Sequence, residues 1–203
     1  MIRNFLFDIG NVLLSFDLDP AVEKLNHCQD LDTPDAKNRV EHHRDPLESG
    51  HCGEDEFLRA VKQDLAFPGT TDEVRALYED IFQPVPHTWS LAESLAARGF
   101  RLILFSNISS IHSRFIRLRY PVFQHFPEAI YSYEVGDMKP GPGMYRHATD
   151  TLGLTPEKTF YIDDLAANIE TGRRFGFRYH LYDHHRPQDL DEQLESLGIS
   201  VRP

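Results

Sequence analysis

Three short apolar runs in this chain each stop at a residue that carries chemistry. Residues 2–7 run into Asp8, residues 101–105 into Ser106, and residues 159–162 into Asp163 and Asp164. Each run is too short for a helix and too apolar for a solvent-facing segment, so each reads as a strand buried on both faces. Such strands belong to parallel sheets, which need helices over both faces. Helical stretches do alternate with them. Residues 90–98 stop at Gly99, which suits a helix C-terminus, residues 142–152 open with proline in the first turn, and residues 165–175 stop at Gly176. Weaker strands are expected at 129–132 and 178–181.

The interval 17–86 differs: it offers no convincing strand but four helix starts. Asp19-Pro20 and Thr33-Pro34 each put a capping side chain before a proline. Gly53 precedes an acidic first turn, and Thr70 with Glu73 has capping-box spacing. The expected fold is therefore α/β: a core of residues 1–16 and 87–203, with a helical cap of residues 17–86 inserted after the first strand. There are no repeats and no low-complexity segments.

In an open parallel sheet, ligands bind beyond the carboxyl ends of the strands. That edge gathers Asp8, Ile9 and Gly10 after the first run, Ser106 and Asn107 after the second, and Asp163 and Asp164 after the third. Lys139 joins them from the loop after the weak strand at 129–132. A carboxylate can attack phosphorus only once the phosphate's charge is neutralised. Carboxylates holding a magnesium ion, a lysine and a hydroxyl supply that neutralisation. Taken singly, each residue has an ordinary role as a cap, a turn or a solvated charge; their joint appearance at strand ends is the signal.

The stretches FDIGNVLLSFD (7–17), SGHCGEDEF (49–57), FSNISSIHSRFIRLRYP (105–121), IYSYEVGDMKPGPGMY (130–145) and FYIDDLAANIETG (160–172) resemble the haloacid dehalogenase superfamily. The likeness is greatest to the bacterial α-D-glucose-1-phosphate phosphatase branch, related to the N-terminal phosphatase domain of soluble epoxide hydrolases. The resemblance implies a three-layer, Rossmann-like core under a helical cap. It also implies a role for each residue. Asp8 is the nucleophile and a Mg2+ ligand, and residue 10 lends its main-chain carbonyl. Ser106 and the amide of Asn107 hold phosphate, and Lys139 neutralises it and orients Asp8. Asp164 binds the metal with Asp163 behind it, the two being exchangeable, and Asn168 steadies the loop.

One position departs from the usual phosphatase pattern. Most phosphatases of this superfamily carry an aspartate two residues after the nucleophile, as general acid and base; here it is Gly10. General acid–base catalysis contributes ~10²–10⁴-fold, so good leaving groups should be favoured, with a sugar phosphate as the leading substrate class. Asp17 is a candidate for a replacement acid. The competing functions are a 2-haloacid dehalogenase, whose halide leaves without a proton, and a non-catalytic protein that captures a phosphorylated metabolite.

Composition narrows the partners. The formal net charge is −11, which argues against nucleic acid and anionic membranes. It leaves a small phosphorylated metabolite as the expected partner. Cys28 and Cys52 form no zinc or CxxC spacing. The apolar start contains Asp8 and lacks a cleavage site, so no signal peptide is expected and a cytoplasmic location is. His42-His43 and His184-His185 lack a carboxylate at ligand spacing and read as surface or packing residues. Arg114, Arg117 and Arg119 read as a solvated helix face, and His112 as a packing residue. His42, His43, Arg44, Phe57 and Trp89 are the candidates for substrate selection by the cap.

Overall fold

A computed structural model describes residues 1–28 and 31–200 of the chain. Residues 29–30 of the expected cap and 201–203 of the expected core lie outside the described residues. In chain order, β1 (Asn4–Phe7) and β2 (Leu14–Phe16) precede four helices, α1 (Asp19–Leu25), α2 (Thr33–Glu48), α3 (Glu54–Asp64) and α4 (Thr71–Glu79). Then come β3 (Phe82–Pro84), α5 (Pro86–Ala97), β4 (Arg101–Ser106), α6 (Ser110–Arg119), β5 (Glu128–Tyr131), α7 (Ser132–Val135) and α8 (Pro142–Arg146). The chain closes with β6 (Thr159–Asp163), α9 (Ala166–Arg174), β7 (Arg178–Leu181) and α10 (Gln188–Ser196).

Five strands form one parallel sheet in the order β5-β4-β1-β6-β7. The alternation of side chains along each strand explains the three layers. Phe5, Phe7, Leu102, Leu104, Phe160 and Ile162 point into one apolar cluster, whereas Leu6, Ile103, Phe105 and Tyr161 point into another on the opposite face. Both faces are thus buried, as the continuous apolar runs require. The fold is the Rossmann-like α/β core expected from the sequence.

Helices α1–α4 pack around their own cluster, which includes Val22, Leu25, Val40, Phe57, Val61, Leu65, Val74 and Tyr78. Ile111 of α6 joins that cluster, so α6 is where the helical unit rests on the sheet domain. The chain leaves and re-enters the sheet domain through the antiparallel pair β2–β3. β3 lies inside the interval read as strandless; it is three residues long and contains Pro84, too little pattern to register in a sequence. Two helix starts also sit one residue from their expected caps. Asp32, not Thr33, is the N-cap of α2 and accepts the amide of Asp35. Leu18 occupies the N-cap of α1, and Asp19, the first residue of the helix, pairs with Lys37 at 2.6 Å. Gly53 and the Thr70–Glu73 capping box fall where the sequence puts them.

The loop after β1 is fastened from α5: Thr88 Oγ1 donates to the Val12 carbonyl and Trp89 Nε1 to the Leu13 carbonyl at 2.7 Å. No helix is long and apolar enough to cross a membrane among the described residues.

Candidate active site

The backbone places every candidate residue at the carboxyl edge of the sheet. Asp8 follows β1 directly, with its amide bonded to the Ile162 carbonyl at 2.9 Å. Ser106 ends β4 and Asp163 ends β6. Lys139 is carried by a loop that Asn107 holds from both sides: Asn107 Nδ2 donates to the Lys139 carbonyl and the Lys139 amide to Asn107 Oδ1, each at 2.8 Å.

Lys139 is the hub. Its buried ammonium lies 3.1 Å from Asp8 Oδ1 and 2.7 Å from Asp163 Oδ2, and it donates to the Phe105 carbonyl at 2.7 Å. Phe105 and Tyr161 put their rings beside it. Burial alone would lower the lysine's pKa, but Asp163 and Asp8 more than offset this and hold it above its ordinary value. It is a fixed cation.

The two adjacent aspartates have different surroundings. Asp163 is fully buried, and its oxygens already accept from Lys139, from the Tyr161 hydroxyl at 2.5 Å, and from Asn168 Nδ2 and the Leu165 amide at 2.9 Å each. Asp164 is partly exposed and accepts from Asn11 Nδ2 at 3.0 Å. Asn11 reaches it from a left-handed backbone conformation, φ 53°, which asparagine tolerates better than most residues. Carboxylate oxygens of Asp8, Asp163 and Asp164 lie within 4.8 Å of one another.

Three carboxylates therefore face one ammonium. Burial raises the Asp8 carboxyl to about 7 against the pull of Lys139, with Asp163 raising it further. Burial also raises Asp164, opposed by the Asn11 hydrogen bond. The cluster is short of positive charge, and its hard oxygen donors suit a small divalent cation. The donor set fits magnesium.

Above this edge lies a cavity of about 370 Å³, lined from below by Asp8, Ser106, Lys139 and Asp164 and from the helical unit by Lys37, Glu41, Arg44, Glu48 and Tyr78. Gly10 also lines it; a Cβ there would sit 3.3 Å from Phe16 Cε1, so the Phe16 ring covers the place where a side chain would project. Asp17 is exposed at the rim and its Oδ1 accepts the Asp19 amide, the role of a turn residue rather than of an acid held for catalysis.

Of the residues proposed to select substrate, Arg44 lines the cavity. Phe57 is buried in the cluster of the helical unit, Trp89 packs on the main core, and His43 bonds Asp64 at 2.7 Å. His112 lines the cavity, but its Nε2 donates to the Tyr78 carbonyl at 2.8 Å and its ring stacks on Tyr78, a packing role. His184 and His185 do have a carboxylate near them, Asp183, but all three are exposed and Asp183 caps the His185 amide. Tyr161, Glu48 and Tyr78 went unread in the sequence. Tyr161 sits inside a recognised motif; Glu48 and Tyr78 carry no local signal.

Comparison with known proteins agrees with this fold. The profile of a hydrolase family, the haloacid dehalogenase-like hydrolases, matches residues 2–176. The chain is 25% identical over 189 residues to the D-ribitol-5-phosphate phosphatase of Bacteroides thetaiotaomicron, covering 87% of this chain and 90% of that one. An 89-residue stretch, 42% of the chain, is 30% identical to part of the bifunctional epoxide hydrolase 2 of Rattus norvegicus, spanning 16% of that protein. A crystal structure of a family enzyme from Bacteroides thetaiotaomicron, in complex with magnesium and inorganic phosphate, superposes with a TM-score of 0.74 at 20% identity, covering 91% of this chain and 96% of that one. With the family profile spanning most of its length and the fold in agreement, the chain belongs to the haloacid dehalogenase-like hydrolases.

Proposed function

We propose that this hydrolase is a magnesium-dependent phosphatase that cleaves a small phosphomonoester through an aspartyl-phosphate on Asp8. The observation that carries the reading is the buried Lys139 ammonium lying between Asp8 and Asp163, with Asp164 beside them, on the floor of a covered cavity.

The Ile9 amide and Lys139 both engage Asp8 Oδ1, which leaves Oδ2 as the attacking oxygen. Asp8, Asp164 and the Gly10 carbonyl would hold the metal, which when bound neutralises phosphate charge that would otherwise repel a carboxylate nucleophile. Asp163, with four hydrogen bonds already accepted, positions Lys139 instead. Ser106 and the Asn107 amide bind the non-bridging phosphate oxygens, and the lysine charge stabilises the transferring group. Water then attacks phosphorus and frees Asp8. A sugar or polyol phosphate is the favoured class: a cavity of about 370 Å³ has metabolite size, and the relative from Bacteroides thetaiotaomicron is named for a polyol phosphate.

The test is phosphate release from a panel of phosphorylated metabolites and p-nitrophenyl phosphate. Release should require magnesium, stop with a chelator, and vanish in Asp8→Asn. Halide release from 2-haloacids that survives a chelator, or tight substrate binding without turnover, would overturn the proposal.

A further inference from the structure

Gly10 leaves the reaction without its usual proton donor, and the Phe16 ring covers the space where one would project. In-line transfer sends the leaving oxygen away from Asp8, toward the helical roof of the cavity. The carboxyls lining that cavity from the roof and rim are Asp17, Glu41 and Glu48. Asp17 is engaged by a backbone amide and Glu41 pairs with Arg44 at 3.6 Å. Glu48, at the end of α2 and partly buried, has no side-chain hydrogen bond or ion pair among the described residues.

Two further polar groups at the same place lack partners. Tyr78 Oη and Arg44 Nε are both buried, both belong to cavity-lining residues, and neither makes a hydrogen bond. Tyr78 is 1% exposed. A buried hydroxyl without a partner is rare in native proteins. Arg44 and Tyr78 lie close enough to Glu48 to act on its charge, so this free carboxyl sits among polar groups in the roof of the cavity.

We infer that Glu48 is the catalytic acid and base of this enzyme, replacing from the cap the carboxyl that position 10 lacks. The inference rests on the phosphatase reading above. As Asp8 bonds to phosphorus, the P–O bond to the leaving group breaks and the Glu48 carboxyl gives its proton to that oxygen. The Glu48 carboxylate next takes a proton from water as its oxygen bonds to phosphorus and the bond to Asp8 breaks. Each turnover returns Glu48 protonated and Asp8 free.

The surroundings of Glu48 suit this use. Burial raises its carboxyl to about 7; Arg44 on the same helix works against the rise, while Asp45 and Asp8 add to it. The other titratable groups near it are Tyr78 from α4 and, beyond Tyr78, the neutral His112 from α6. An acid of this strength exchanges its proton near neutral pH.

The experiment compares wild type with Glu48→Gln on p-nitrophenyl, phenyl and benzyl phosphate, whose leaving oxygens become successively more basic. With magnesium present, kcat/KM of the variant should fall ~10²-fold or more on benzyl phosphate and much less on p-nitrophenyl phosphate. The ratio between substrates on one preparation does not depend on how much of the variant is folded. The limb of the wild-type pH profile on the alkaline side should be absent from the variant, and p-nitrophenol should appear in a burst as water attack slows. An equal loss on all three esters, or none, would overturn the role of Glu48 while leaving the phosphatase reading in place. Wild type that releases no phosphate from any ester would remove both.

Discussion

At the scale of single residues, the site is a balance of few charges. Lys139 holds Asp8 and Asp163 together, and Asp163 in turn is held by Tyr161, Asn168 and the Leu165 amide. Gly10 is where this balance can be changed by one substitution. In Gly10→Asp the Phe16 ring must give by a few tenths of an ångström, which an exposed aromatic can do. The variant should turn over unactivated alkyl phosphates faster than wild type, and in the Glu48→Gln background the gain should be larger, because two acids serving one oxygen are not additive. Steady-state kcat on benzyl phosphate measures both; no gain in either background would contradict this account of position 10. The candidates Asp8, Ser106, Asp163 and Asp164 were legible in sequence because each ends or follows a buried strand, whereas Lys139, in a loop after a weaker strand, was legible only in their company. Glu48 was not: it lies on a helix whose neighbours across the cavity are far away in the chain, and helical spacing does not reveal what a roof faces.

At the scale of elements, α6 joins the two units. Glu54 at the start of α3 accepts from Ser110 Oγ at 2.5 Å and from Arg114 Nη2 at 2.7 Å on α6, and from Arg75 Nη1 of α4 at 2.5 Å. Burial would raise the Glu54 carboxyl, but these bonds outweigh it and hold the carboxyl below its ordinary value. Its contribution to stability is thus present above the unfolded pKa of 4.5 and is lost as pH falls through the lowered folded value. Glu54→Ala should loosen the cap on α6 and raise KM several-fold while changing kcat less, as expected when closure is weakened; an unchanged KM would contradict a clamp. Arg114, which reads as solvated in the sequence, owes this role to a partner sixty residues away. His112 is the second tie. Burial lowers its pKa to about 4, with Arg44 adding to the fall and the Tyr78 carbonyl opposing it. The unfolded chain then binds more protons between pH 6.5 and 4, so stability held above 6.5 is lost as pH falls through that window, by an amount on the order of 3 kcal/mol. Melting temperatures of wild type and His112→Gln across that range test this: the acid decline should be shallower in the variant, and parallel curves would contradict it.

At the scale of the whole molecule, two units with their own apolar clusters enclose one cavity. The sheet domain brings Asp8, Lys139 and Asp164 to one edge, and the helical unit covers them with Lys37, Glu41, Arg44, Glu48 and Tyr78. The alternation of strands and helices makes the sheet domain readable in the sequence, and the run of helices α1–α4 without strands between them makes the helical unit readable by contrast. The connecting pair β2–β3 escaped because three-residue strands have no periodicity to detect. All of this depends on Asp8 as the group that takes the phosphoryl. The most direct measurement is acid quench of the enzyme during turnover of p-nitrophenyl phosphate with magnesium, followed by peptide mass mapping. The account predicts a phosphoryl group on the peptide that carries Asp8 in wild type, its accumulation in Glu48→Gln, and a loss of phosphate release of ~10⁴-fold or more in Asp8→Asn. Steady phosphate release from Asp8→Asn, or a phosphoryl group found on another residue, would contradict it.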